Sequence, residues 1–519
     1  MLIKLPRKRA VSLEQPLLHL DHGKPKTRRE FISQGFMAGT AAVSGASLFS
    51  LLAAPRRANA FSQQLKDDCG IRTTSSGKVP FICFDLAGGA NIAGSNVLMG
   101  KSGGQEDFLS TAGYNKLGLP GDMLPGQGFI NEEFGLKFHS DSGFLRGLLD
   151  TVSVGARANI DGSIIAARSE NDTGNNPHNP MYGILKAGAD GELLSLVGSQ
   201  SSESGGNSMA PMSLINPQAR PTKVDRPSDV TGLVDVGDLT AILSQADAVE
   251  VMKSMREISV SKMANASPGF GAEANDDIRQ RVDCGYVKSA DLAERFGNPE
   301  DLDPSRDDHI VGDSGIFSTA EFTAGSREGR EFRKTASVMK LVQNGYAGAG
   351  TVTLGGYDYH TGERATGESR DYLAGRCMGA CLEYAHRLSI SGTPTPLMLY
   401  VFSDGSVSSN GRIDDTEGGR GKGEWTGDNQ QTAASFYLVY NPSGRPVVRN
   451  RQIGWMRADA SVETASSPAA NNVNQLVQTV VLNYMALNNE IGEFGNLFPG
   501  HGLGNADSLD RLIGIEPLA

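Results

Sequence analysis

Pro396-Leu397-Met398-Leu399-Tyr400-Val401-Phe402, running straight into Ser403-Asp404-Gly405, is the stretch on which the fold turns. A continuous apolar run that stops at a turn reads as a strand covered on both faces, because a strand with one wet face would alternate. Val79-Pro80-Phe81-Ile82-Cys83-Phe84-Asp85-Leu86 has the same character and stops at Ala87-Gly88-Gly89. Gly350-Thr351-Val352-Thr353-Leu354 stops at Gly355-Gly356, and Ser163-Ile164-Ile165-Ala166-Ala167 is a further strand. Between these runs the periodicity changes. Residues 331–344 form an amphipathic helix that Gly345 begins to stop, and residues 143–154, 369–388 and 470–489 are also helical. Helix and strand in alternation, with strands apolar throughout, predict an α/β fold: a mainly parallel sheet with helices on both faces.

Outside that core the ends and the middle of the chain read differently. Arg28-Arg29-Glu30-Phe31-Ile32, an uncharged stretch over residues 36–54 and the small residues of Ala58-Asn59-Ala60 spell a twin-arginine export signal. Cleavage is expected before Phe61, which makes residues 1–60 a signal peptide and places the mature chain in the periplasm or outside a bacterial cell. A retained membrane anchor is the competing reading, but Gly39, Ser44, Gly45, Ser47 and Ser50 dilute the apolar stretch. Twin-arginine export carries folded proteins, commonly ones loaded with a metal or cofactor. Residues 61–519 are expected to form a single large domain. Residues 199–229 look like loop, and helical patterning over 237–296 suggests a helical insertion somewhere around 200–300.

The whole chain carries 48 Lys and Arg against 59 Asp and Glu. Removing residues 1–60 leaves 38 basic and 56 acidic side chains, a formal charge of −18. A nucleic-acid partner is therefore not expected, since a phosphate polymer would be repelled. No second long apolar run occurs, so no stable membrane span remains after cleavage. The five cysteines make no zinc-type spacing. An oxidising compartment would permit a Cys69 to Cys284 bridge, while Cys377 and Cys381, one helical turn apart, suit a core.

Acidic residues stand in or just beyond the ends of three strands: Asp85, Asp358 with His360 beside it, and Asp404. In open α/β sheets, ligands bind outside the carboxyl ends of the strands. Carboxylates and a neutral imidazole gathered there are ligands for a divalent metal, whose charge would offset their mutual repulsion. Asp and Gly after strands are also ordinary turn formers, and that reading stands beside the first. Gly88-Gly89-Ala90-Asn91-Ile92-Ala93-Gly94 lacks dinucleotide-loop spacing, Gly418-Gly419-Arg420-Gly421-Lys422 lacks P-loop spacing, and no GxSxG elbow occurs.

Gly355-Gly356-Tyr357-Asp358-Tyr359-His360 resembles the Gly-Gly-Phe-Asp-Thr-His motif of the bacterial proteins grouped as the domain of unknown function 1501, which are typically twin-arginine exported. Phe84-Asp85-Leu86-Ala87-Gly88-Gly89-Ala90-Asn91 is similar to their first strand and its Gly-rich turn. Phe134-Gly135-Leu136-Lys137-Phe138 resembles their Gly-Leu-His-Pro segment, and Phe402-Ser403-Asp404-Gly405-Ser406 takes the place of their Ser-Glu-Phe-Gly-Arg. The likeness covers most of residues 79–440. That family in turn resembles the alkaline phosphatase and sulfatase superfamily, metal-dependent hydrolases of phosphate and sulfate esters.

The resemblance implies Asp358 and His360 on one divalent ion (Zn, Mn or Ca), Asp404 with Asp85 on another, and His178 and Asp428 as possible additional ligands. It implies an anionic ester as substrate. The chain departs from the family where Pro177-His178-Asn179 stands for Ser-His-Phe, Asp428-Asn429-Gln430 for Asp-His-Gly, and Asn91 for an Asp. No nucleophile is assigned; Thr173, Ser95 and Ser406 are the hydroxyls in view. A degenerate scaffold that binds an envelope protein is therefore the alternative expectation.

Overall fold

The computed structural model describes residues 61–72, 74–169, 177–199, 210–235, 243–264, 272–296 and 298–518. The expected signal peptide lies outside them. Two compact units emerge, a larger one from Arg72–Leu233 with Glu300–Ala519 and a smaller one that includes Val234–Pro299.

The larger unit is built on one eight-stranded sheet. Its strands in chain order are β1 (Phe81–Ala87), β2 (Ile160–Ala166), β3 (Leu194–Gly198), β4 (Thr222–Lys223), β5 (Ala347–Gly355) and β6 (Leu397–Phe402). A two-stranded ribbon of β7 (Val407–Ser408) and β8 (Gly427–Asp428) follows, then β9 (Ala434–Tyr440) and β10 (Gln452–Ile453) return to the sheet. The order across it is β10-β2-β9-β6-β1-β5-β3-β4. Every neighbouring pair is parallel except those of β9, which runs antiparallel to both β2 and β6. The expected mainly parallel α/β sheet is present.

Burial on both faces accounts for the unbroken apolar runs. All seven positions of β1 are buried, as are all six of β6. Alternation sends Phe81 and Cys83 to one face. There they join Met398, Tyr400 and Phe402 of β6 and Tyr437 of β9 in one apolar cluster with α2 (Met181–Lys186) and α5 (Val473–Leu487). Ile82, Phe84 and Leu86 point the other way, towards α1 (Gly143–Thr151), α3 (Arg327–Gln343) and α4 (Ala365–Ile390). Each such buried Leu, Ile or Phe contributes about 1.5–3 kcal/mol of transfer free energy, so the sheet core dominates stability.

The helices follow local rules. Ser326 caps α3 by accepting the Gly329 N–H, which starts the helix one turn earlier than apolar periodicity indicates. Helix α5 buries Asn483 in its apolar length, and four bonds satisfy that amide: Tyr437 Oη and the Gly514 N–H donate to it, and it donates to Leu512 O and Thr479 O. Among the described residues no helix is long and apolar enough to cross a membrane.

The smaller unit contains helices Gln245–Ala264 and Ala272–Arg295, which form the helical pattern expected over 237–296. Val249, Met252, Ala290 and Ala293 make its small core. Cys69 and Cys284 are joined by a disulfide, while Cys377 and Cys381 are buried free thiols on α4. Buried Lys66 pairs with Asp291 at 2.8 Å and Glu294 at 3.1 Å.

Candidate metal centre

Strand β1 lies between β5 and β6, so the loops leaving the carboxyl ends of these three strands are neighbours. Gly88 locks them together. Its φ of +124° is a backbone conformation for glycine alone, and a Cβ there would lie 2.5 Å from the Asp358 amide nitrogen. The Gly88 N–H donates to Asp404 Oδ1 at 2.8 Å, and the Tyr357 N–H donates to Ala87 O at 3.0 Å. Ser403 Oγ accepts from the Ala90 N–H and donates to Leu86 O. The glycine turn thus sits between the Asp404 carboxylate and the backbone of Asp358.

Alternation within Tyr357-Asp358-Tyr359-His360 does the rest. Tyr357 and Tyr359 are buried, the first donating from its hydroxyl to Arg370 O at 2.9 Å and the second packing beside Trp425. With the tyrosines turned inward, Asp358 and His360 face outward, their side chains 68% and 34% exposed. The ribbon β7–β8 starts just after Asp404 and delivers the third group. Asp428 is in register with Val407, and the Asn429 N–H donates to Ser406 O at 2.8 Å.

These pieces converge on one group. His360 Nδ1 is 2.6 Å from Asp358 Oδ1 and 3.0 Å from Asp428 Oδ1. One donor atom of each of the three residues lies within 4.8 Å of the others, a spacing that fits ligands of a single ion, whose donors stand about 3–4 Å apart. Two carboxylates and an imidazole suit a borderline or hard divalent cation such as Zn or Mn.

Asp85 and Asp404 do not join that group. The expected set Asp85, Asp358, His360 and Asp404 is therefore distributed over two layers. Asp404 is fully buried and turned to the Gly88 amide. Asp85 is fully buried too, in register with Phe402 and, by alternation, on the face of Cys83. His178 lies against that face, its ring stacked on Phe402 at 6.2 Å. Burial pushes His178 down to about 3, so its ring is neutral. Its Nε2 has no hydrogen-bond partner among the described residues. Asn179 bonds Thr351 Oγ1 at 3.1 Å, holding this segment over β1 and β5.

The hydroxyls in view are engaged or outside the description. Ser95 Oγ donates to Asn91 Oδ1, and Ser406 Oγ is hydrogen-bonded to Thr432 Oγ1 at 3.1 Å; both serines are buried. Thr173 lies outside the described residues. Asn429 spends its side chain on its own turn, accepting the Gln431 N–H at 3.0 Å.

A buried ionic layer supports the loop from beneath, and no motif pointed to it. Arg364 stacks on Trp425 at 4.4 Å and bonds Glu368 Oε1 at 2.7 Å; Lys422 reaches the same carboxylate at 2.9 Å. Burial works to raise Glu368, but Arg364 and Lys422 outweigh it and hold the group below the usual range. One turn on, burial pushes Asp371 up to about 7. Comparison with protein-family models and with curated proteins returns no match to this chain.

Proposed function

We propose that this chain is an exported hydrolase of phosphate or sulfate esters that resembles the domain of unknown function 1501 and works with a divalent metal held by Asp358, His360 and Asp428. The observation that carries the reading is the convergence of those three side chains at the carboxyl edge of a mainly parallel sheet. A bound divalent ion supplies Lewis-acid chemistry at an ester oxygen. Asp358, the most exposed of the three, leaves one side of the group open to an incoming anion. The tyrosines fix the loop so that little reorganisation accompanies binding.

A second reading has a specific observation behind it. Asn429 stands where the resembling family has a histidine and is turned into its own turn, and Ser95 and Ser406 are buried. Those features favour a scaffold that keeps the binding edge without turnover and docks an envelope protein. Protein purified from the periplasm separates the two. Stoichiometric metal by elemental analysis, with hydrolysis of an aryl phosphate or sulfate, supports the enzyme; stoichiometric metal without turnover supports the scaffold. In either case His360→Ala should lose the metal with a melting temperature within a few degrees of the parent, because a half-exposed side chain buries little apolar area. Full metal content in that variant would refute the assignment.

A further inference from the structure

Arginines in this acidic protein are commonly matched with carboxylates, as Arg146, Arg157, Arg256 and Arg376 show. Several described arginines are not so matched, and two of these share an acceptor. Arg327, the first residue of α3, and Arg370, on α4, make no ion pair among the described residues. Instead both donate to one acceptor, the carbonyl oxygen of Gly355, Arg370 from Nη1 at 3.2 Å and Arg327 from Nη2. Gly355 is the last residue of β5, three residues before Asp358. Arg370 Nη1 lies against Gly356, where a Cβ would come within 2 Å of it.

A single carbonyl does not satisfy two guanidiniums, which offer five N–H donors each. Arg327 Nε is buried and has no hydrogen-bond partner among the described residues. Both side chains are only half exposed, so water screens their repulsion incompletely. Burial, and then the charge of Arg327, hold Arg370 below the usual arginine range. Two like charges are thus held together at the carboxyl end of β5. A divalent tetrahedral oxyanion would offset both, and the planar forks of arginine match its oxygens in pairs.

We propose that Arg327 and Arg370 form an oxyanion clamp that takes the non-bridging oxygens of a phosphate or sulfate group at the carboxyl edge of β5. That the anion belongs to an ester rests on the hydrolase reading above; the clamp itself does not.

The test uses the full mature chain stripped of metal with a chelator, titrated with inorganic phosphate and with inorganic sulfate by calorimetry. Arg327→Gln and Arg370→Gln should each weaken anion binding at least about tenfold, and the double variant should abolish it. Arg370→Lys, which keeps the charge and loses the fork, should recover part of the loss. Because each arginine bonds only one exposed carbonyl, the variants should melt close to the parent. Binding that is unchanged in both Gln variants, or absent in the parent at about 10 mM of either anion, overturns the clamp. Metal content and ester turnover, measured separately on the untreated protein, report on the hydrolase reading. Arginine-dependent anion binding without turnover keeps the clamp and removes the enzyme, whereas turnover with arginine-independent binding does the reverse.

Discussion

Asp371 makes the sharpest quantitative prediction. It sits on α4 against Gly143 of α1, accepts the Asn96 side-chain N–H at 2.8 Å through Oδ2, and leaves Oδ1 without a partner among the described residues. Asn96 in turn accepts from Ser142 Oγ and the Phe144 N–H, so this carboxyl group is linked to the start of α1. Burial raises Asp371 from 3.8 to about 7, with the Glu368 charge adding to the shift and the Asn96 bond opposing it. The folded state therefore holds the proton more tightly than the unfolded chain. Stability from this group is whole below about pH 4 and is lost as pH rises through about 7. At ~1.4 kcal/mol per pKa unit, the full loss is about 4 kcal/mol, of which about 3 kcal/mol falls between pH 5 and pH 8. Asp371→Asn cannot ionise, and its amide can still accept from Asn96. Relative to the parent, the variant should gain about 3 kcal/mol between pH 5 and pH 8. Urea unfolding followed by the fluorescence of buried Trp425 measures this directly. Parallel pH profiles for parent and variant would refute the reasoning, since they would mean that Asp371 ionises in the folded protein as it does in water.

Gly88→Ala should destabilise the protein by about 3 kcal/mol or more and, on the proposed metal-dependent reading, release the ion, because the new Cβ meets backbone atoms of Asp358 and Tyr357 and no side chain can swing aside. Denaturation and metal analysis of one preparation check both effects together; retained metal in a folded Gly88→Ala protein would show that the loops are not coupled through this turn. The cysteines give a covalent count. Unfolded but unreduced protein should take up three alkyl groups, at Cys83, Cys377 and Cys381, and reduction should expose two more. Five adducts without reductant would rule out the Cys69–Cys284 bridge.

Some of this molecule is written in its local sequence and some is not. The strands ending at Ala87, Gly355 and Phe402, the helices between them and the α/β class follow from burial on both faces of a sheet, which removes alternation from the strands while the covering helices keep a 3.6-residue apolar period. Asp358 and His360 were singled out as an acid and an imidazole just beyond the Gly355-Gly356 strand end, whereas the burial of Tyr357 and Tyr359 that turns them outward exists only in the folded chain. Strand β9 carries a readable aromatic and β-branched signal in Ser435-Phe436-Tyr437-Leu438-Val439-Tyr440, yet nothing local sets its antiparallel direction, because direction depends on which neighbours it meets. Asp428 stood in the sequence only as a possible additional ligand implied by the resemblance; what carries it to His360 is the β7–β8 ribbon, a pairing of two-residue strands too short to leave a pattern. The separation of Asp85 and Asp404 from the outer group was likewise hidden. A backbone amide and the alternation of a buried strand decide where those carboxylates point, and such partners exist only once distant segments have packed together.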